Sequence, residues 1–395
     1  MHDVFNMLRR IKVYIILAII LLIPFWMWLA WFFTPKTKMV AAIIDKTVLT
    51  KSGQEHISLT WLLNHERLTK TSSLSYNASE DYFGFFPLTD EKFRLKGLER
   101  FSDEQLDQLG DDADMVYYTD TYGIYQNEWF KTGRDTERSG ILYGGLSDQD
   151  LVLLQKMKAN KKLIITEFNT IGSPTNLNNL KEFERLFSIR WTGWTARYFD
   201  SFDTTINKGL PRWLVNNYNK TSNSKWNFKK SGIAFVNQKD QVVILEDDID
   251  LDNPIPHIIT GQYGQQNYSL PVKIKYSFWF DVIEPDSRVN QTISNFQIFA
   301  NSKGKALLQQ YGIPAKFPAV LMHKGDDYRF YYFSGDFCDN PISMNTSYFK
   351  GIEFFKWLFY NKQDPTERTS FFWNFYNPLM ASILRQEKQK IKAGR

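Results

Sequence analysis

Val13 to Phe33, VYIILAIILLIPFWMWLAWFF, is an uncharged apolar run between Arg9-Arg10-Ile11-Lys12 and Lys36-Thr37-Lys38. At roughly 1.5 Å per residue it reaches about 30 Å as a helix, the thickness of a bilayer's hydrocarbon core. A single membrane crossing is the expectation. Pro24 is tolerated in such a helix, and Trp26, Trp28 and Trp31 suit the membrane interface. A cleaved signal peptide would have an apolar region of roughly 7–15 residues ending at an A-x-A-like site, so the run reads as a signal anchor. Arg9, Arg10 and Lys12 precede it against Lys36 and Lys38 after it, which puts the N-terminus inside and everything from about residue 39 outside the cytoplasmic membrane.

The chain beyond the anchor is long enough for one large or two medium domains with a real core. The formal net charge is +5, and the only concentrated basic segment is the tail Arg385 to Arg395, so nucleic-acid binding is not expected. Cys338 is the one cysteine, which rules out an intramolecular disulfide. The absence of cysteine pairs and the Lys/Asn/Ile-rich usage point to a bacterial envelope, where the sequons at Asn77, Asn219, Asn267, Asn290 and Asn345 carry no meaning. Aromatics make up 16 % of the chain, enough to fill a core and to line a sugar-binding groove as well.

Short apolar runs alternate with helical patterns in the first half. MVAAIID (Met39 to Asp45), YFGFFP (Tyr82 to Pro87), MVYYTD (Met115 to Asp120), ILYGGL (Ile141 to Leu146) and KLIITE (Lys162 to Glu167) read as strands. His56 to Lys70, the segment capped by Ser102, Asp148 to Ala159 capped by Ser147, and Asn178 to Ser188 read as helices. This alternation predicts an α/β fold with a largely parallel, Rossmann-like sheet. From about Gly232 strands crowd together: GIAFVN and QVVILE as a hairpin about Gln238-Lys239-Asp240, then VKIKYSFWFDVI. A helix over Ser302 to Tyr311, a late strand FYYFSG (Phe330 to Gly335) and an aromatic helix over Tyr348 to Tyr360 complete the pattern.

Ligands of open α/β sheets bind at the carboxyl ends of the strands. Four acids end predicted strands: Asp45, Asp120, Glu167 and Asp336. Around them the sequence sets Lys46, His65, Tyr122, Asn169 and the segment RWTGWTAR with Trp191, Trp194 and Arg197. Paired carboxylates can protonate a leaving oxygen and attack or activate water, the chemistry of glycoside hydrolysis, and tryptophans stack on sugar rings. Each acid has a plainer reading as a helix cap or loop tie, so only their recurrence carries weight. If the protein is an enzyme, the expectation is a glycan hydrolase with Glu167 as acid or nucleophile, Asp120 its partner and Asp45 beside them. Trp191, Trp194, Arg197, Tyr122, Asn169, His65 and Asp336 would then bind substrate. No H-x-x-x-H, H-E-x-x-H or D-x-D-x-D spacing supports a metal, no phosphate loop supports a nucleotide, and no cofactor is expected.

The order MVAAIID, ILYGGL, an Asp/Gln/Leu-rich helix and KLIITEFN resembles the class I glutamine amidotransferase-like fold, including its trehalose-utilisation-type relatives. The resemblance covers roughly residues 39 to 200 and 315 to 360. It implies that Gly144-Gly145 is the family's glycine pair, that Glu167-Phe168-Asn169 stands at the nucleophile elbow, and that FYYFSGDFCD is the strand that brings the catalytic histidine. No cysteine occupies the elbow and Asp336 stands in place of the histidine, which argues against amidotransferase chemistry. Cys338, flanked by Asp336 and Asp339, reads as a small packed residue. The chain is also similar to membrane-anchored proteins of bacterial envelopes with YGGL, EFNT, TGW and GDF blocks, a resemblance that supplies no activity.

The expected organisation is a cytoplasmic stretch 1–12, an anchor 13–33, an α/β domain 39–230 with a β-rich insertion 231–315 and its completion 316–378, and a basic C-terminal tail 379–395 whose stretch Arg385 to Arg395 is a solvated helix end. The expected function is binding or processing of a cell-envelope or extracellular carbohydrate through strand-end carboxylates. The alternative is a catalytically inactive amidotransferase-like scaffold or interaction subunit of an envelope assembly. Partners would be the membrane through one helix, a glycan, and envelope proteins.

Overall fold

Apolar runs buried on both faces become the inner strands of a ten-stranded sheet. The computed structural model describes residues 22–130, 140–361, 363, 364 and 366–394, together with Met7, Lys12, Tyr14, Ile19 and Ile20. In chain order the strands of the two main sheets begin with β1 (Ala41–Asp45), β2 (Phe83–Pro87), β3 (Phe93–Lys96), β4 (Met115–Asp120) and β5 (Leu163–Glu167). They continue with β6 (Ile189–Phe199), β7 (Gly232–Asn237), β8 (Val242–Glu246), β9 (Leu251–Thr260) and β10 (Lys273–Lys275). The last are β11 (Phe280–Pro285), β12 (Asn290–Ala300), β13 (Lys316–His323) and β14 (Arg329–Phe333).

The large sheet has the order β10-β9-β12-β13-β14-β5-β4-β1-β2-β3, and a four-stranded sheet the order β8-β7-β6-β11. Within the large sheet β2, β1, β4, β5 and β14 are mutually parallel, and the remaining pairings are antiparallel. The parallel strands have the doubly wound order in which the chain steps outward from β1 to β2 and returns on the other side as β4. That reversal opens a crevice at the carboxyl ends of β1 and β4.

Alternation along each strand sorts the core. Ala42, Ile44, Val116, Tyr118, Ile164 and Tyr332 face the helices Asp103–Asp112, Asp148–Ala159 and Leu177–Phe187. Ile43, Tyr117, Ile165, Tyr331 and Phe333 face the helix Ile57–His65 and the C-terminal helix Asn377–Ala393. Ser102 and Ser147 cap their helices as the sequence predicts, each bonding the backbone N–H three residues on. Gly84 is required where β2 meets the end of β1: its φ is +154°, and a Cβ there would lie 1.7 Å from the Asp45 carbonyl oxygen.

Several expectations are corrected. ILYGGL does not join the large sheet; only Ile141–Tyr143 is a strand, paired with Ile124–Tyr125, because Gly144 and Gly145 at φ 149° and 80° turn the chain away. VKIKYSFWFDVI is two strands, β10 and β11, in different sheets; Tyr276 between them turns into the core and donates to the carbonyls of Trp279 and Asp336. Residues 348–360 form 3₁₀ turns, Met344–Tyr348 and Ile352–Leu358, rather than one helix. The C-terminal helix packs through Leu379, Met380, Ile383 and Leu384 at helical spacing, with Glu387 and Ile391 also buried, while most of the stretch from Arg385 onward is exposed. The β-rich part begins earlier than residue 231, at β6, since β6 pairs with both β7 and β11.

Among the described residues no helix is long and apolar enough to cross a membrane. Of the run 13–33, the helix Ile23–Phe33 is described, while residues 13, 15–18 and 21 lie outside the described residues, as does most of 1–12. Its Trp31 is anchored: the indole N–H donates to the Asn64 carbonyl, the ring meets Tyr348 edge-on at 4.9 Å, and the Arg67 guanidinium lies over it.

Candidate functional site

Adjacent parallel strands bring their last residues to one edge. Asp45 and Asp120 are register partners across β1 and β4, Glu167 lies opposite Phe333 at the end of β5, and Asp336 comes just after β14. Above this edge lies a cavity of about 430 Å³. Asp120, Tyr122, Asn169 and the 336–339 loop form its large-sheet side, and Trp191, Thr195 and Arg197 of β6 with Trp213 and Trp279 its opposite wall.

Its floor is acidic. One carboxylate oxygen each from Glu55, Asp336 and Asp339 lies within 4.8 Å of the other two. Arg368 closes the group, donating to Asp336 at 3.0 Å and to Asp339 at 2.6 Å while its plane covers the Phe278 ring. Arg368 thus already supplies the cation that a metal would bring. Burial, reinforced by the Asp339, Asp336, Asp120 and Asp45 carboxylates, pushes the Glu55 carboxyl well above its ordinary value. Burial also pushes Asp120 well up, against the pull of the Tyr122 N–H, with Asp336 and Asp45 adding to the rise. Asp336 is pushed up to about 6 by burial, although Arg368 pulls the other way. Carboxyls pushed toward their neutral form beside one held by a guanidinium are the arrangement that proton donation uses.

Of the residues expected from sequence, Asp120, Tyr122, Asn169, Trp191, Arg197 and Asp336 line the cavity. Asp45 is buried beneath it: its carboxylate accepts from the Glu55 backbone N–H at 2.9 Å and meets the His56 ring at 2.7 Å. Glu167 points behind the edge. One carboxyl oxygen accepts from the Phe337 N–H at 3.0 Å, the other is buried with no hydrogen-bond partner among the described residues, and burial pushes the group well up. Cys338 is packed next to it, its sulfur accepting from Leu59 N–H and Tyr376 O–H. Trp194 is buried in the core against Tyr311, and His65 is buried, stacked on Trp61 and paired with Glu353. Lys46 turns away from the cavity to Glu99, Asp150 and the Gly145 carbonyl.

Glu55, Asp339, Arg368, Trp213 and Trp279 do not stand out in the sequence as site residues. Glu55 sits in the loop after β1 rather than at a strand end, and Arg368 lies in a polar segment with no pattern. Asp339 is the legible one, three residues from Asp336 in the same loop.

Asp281 fastens the second sheet to this edge. It is fully buried on β11 and accepts from the Asn169 N–H, the Thr195 hydroxyl and the Tyr332 hydroxyl at 3.0–3.1 Å, with no cation among these partners. Burial pushes it up to about 6. The folded state therefore holds a proton that the unfolded state has released above about pH 4, so this group's contribution to stability falls as pH rises from 4 to 6. Asp281→Asn should gain on the wild type by about 3 kcal/mol between pH 4 and pH 7. Urea denaturation at the two pH values measures this, and a pH-independent difference would refute it.

No protein-family profile matches the chain, and no curated protein does. Among solved structures it is similar to a ThuA-like protein of Parabacteroides merdae, with 7 % identity and a TM-score of 0.32 over 75 % of this chain and 79 % of that one. It is also similar to a β-galactosidase of Bacillus circulans sp. alkalophilus, with 11 % identity and a TM-score of 0.26, where 58 % of this chain covers 21 % of that one. A third similarity is to a carbohydrate deacetylase, with 7 % identity and a TM-score of 0.32, where 76 % of this chain covers 29 % of that one.

Proposed function

We propose that this cavity binds and hydrolyses a carbohydrate polymer of the bacterial envelope or its surroundings. The observation that carries the reading is the pairing of a carboxyl cluster with three tryptophans, Trp191, Trp213 and Trp279, around one cavity. Glu55, pushed toward its neutral form, donates the proton to the leaving glycosidic oxygen. Asp336 stands opposite it as the carboxylate, oriented by Arg368. Oxygens within 4.8 Å suit direct attack on the sugar better than the wider spacing that leaves room for a water, so retention at the anomeric centre is expected. Asp120 adds a third carboxyl, Asp45 holds the Glu55 backbone, and Glu167 holds the 336–339 loop from behind. The test is binding and turnover of a panel of bacterial polysaccharides by the full chain; a folded protein that does neither contradicts the reading.

We propose as well that the protein is tethered to the outer side of the cytoplasmic membrane. The helix Ile23–Phe33 exposes Phe25, Trp26, Trp28, Phe32 and Phe33. Lys350 N–H donates to the Met27 carbonyl, which sets the neighbouring turn Ile352–Leu358 beside it, and that turn exposes Phe354 by 84 % and Trp357 by 63 %. Exposed aromatics gathered where an apolar run enters the domain match the lipid headgroup region. A fluorophore placed at Trp357→Cys, in the full chain reconstituted into vesicles, should be quenched by spin-labelled lipid, whereas one at Lys208→Cys in a polar loop should not. Equal quenching at both sites contradicts the tether.

A further inference from the structure

Among the described residues two guanidinium groups line the cavity, and they differ in one respect. Arg368 is taken up by Asp336 and Asp339. Arg197 makes no ion pair or hydrogen bond with the described residues; its Nε is buried without a partner, and the rings of Phe199 at 5.2 Å and Trp279 at 5.7 Å flank it. A guanidinium flanked by aromatic rings, with its two Nη groups bonded by none of the described residues, leaves a fork suited to a planar carboxylate.

The surrounding charge agrees with this. The acids that act on Arg197 are Asp336, already paired with Arg368, and Asp200, and neither makes an ion pair with it among the described residues. Trp213 and Trp279, on the same wall, offer faces for a sugar ring to stack on beside the cation. Arg197 thus lies in the same cavity as the acidic floor and within electrostatic reach of Asp336 and Arg368.

We infer that the glycan taken by this cavity is acidic, a uronic-acid-type polymer whose sugar carboxylate pairs with Arg197. This rests on the carbohydrate reading and adds the substrate class. Arg197 acts as a binding residue; it selects the acidic sugar without taking part in bond breaking.

The experiment uses the full chain in detergent with tetragalacturonate and a hyaluronan tetrasaccharide, each beside its carboxyl-reduced neutral form, and measures affinity by calorimetry. At least one acidic oligosaccharide should bind about ten- to a hundredfold more tightly than its reduced form, the worth of a charge-assisted bidentate pair. Raising the salt concentration should narrow that gap. Arg197→Gln should bring the acidic form down to the affinity of the neutral one, and Arg197→Lys should keep part of the preference. Among the described residues Arg197 loses only its ring contacts with Phe199 and Trp279, so both variants should melt close to the wild type, and a variant that does not is set aside in favour of the salt dependence of the wild type. Equal affinity for acidic and neutral forms overturns the inference while leaving the carbohydrate reading in place. A preference that survives Arg197→Gln overturns the role of Arg197, and binding of none of the four overturns both.

Discussion

Glu55→Gln is expected to lower turnover of a responsive polysaccharide by about 100- to 10,000-fold, the range general acid catalysis supplies, with little change in affinity. The amide has the size of the carboxyl and cannot release a proton. The Glu55 backbone N–H is fixed by the Asp45 carboxylate, so the substitution removes chemistry and leaves the loop anchored. The site should also lose activity at high pH in the wild type, as Glu55 finally ionises, because burial and four neighbouring carboxylates set that limit well above the ordinary carboxyl range. Steady-state turnover against pH, run beside binding, separates the two effects. Turnover unchanged in the variant would remove Glu55 from the chemistry.

Arg368→Gln is expected to cost about 3 kcal/mol of stability, because removing one member of a buried ion pair strands the other's charge. Arg368 is 16 % exposed, and it serves Asp336 at 20 % and Asp339 at 36 %. The Asp339 contact sits at the rim, where solvent screens it, so most of the loss comes from Asp336. The pH dependence has a definite sign. The pair with Asp336 contributes only while Asp336 is ionised, so it is present above about pH 6 and lost as pH falls through that value. The variant's deficit should therefore be largest near pH 8 and shrink by pH 5. Urea denaturation at both values checks it, and a deficit under about 0.5 kcal/mol at pH 8, the size of an ordinary surface substitution, would mean the pair does not hold this loop.

The inner sheet is legible in the sequence because its strands are buried on both faces and so carry unbroken apolar runs. Ala41–Asp45, Met115–Asp120 and Leu163–Glu167 all lie within the runs read from sequence. Their shared edge is implied by the α/β alternation. What the runs do not encode is side-chain direction at the strand end: Asp45 and Glu167 turn beneath and behind the edge, while Asp120 reaches the cavity. The opposite wall is half legible. RWTGWTAR alternates along β6, so Trp191 and Arg197 line the cavity, while Trp194, three residues from each and therefore on the opposite face, is buried in the core. Trp213, Trp279 and Arg368 arrive from segments distant in sequence, and only tertiary packing joins them to the acids. The basic stretch from Arg385 is legible as a largely exposed helix end, whereas the apolar stripe before it, Leu379, Met380, Ile383 and Leu384, shows its packing only in the fold.

If one cavity holds both the sugar and the reacting carboxyls, a crystal structure of the full chain with the tightest-binding oligosaccharide from the panel will show it. Glu55→Gln in that crystal keeps the substrate intact. The expected density is a sugar ring against Trp213 or Trp279, with its glycosidic oxygen within hydrogen-bonding distance of residue 55. A saccharide bound elsewhere on the surface, with this cavity empty, would contradict the hydrolase assignment and the site together.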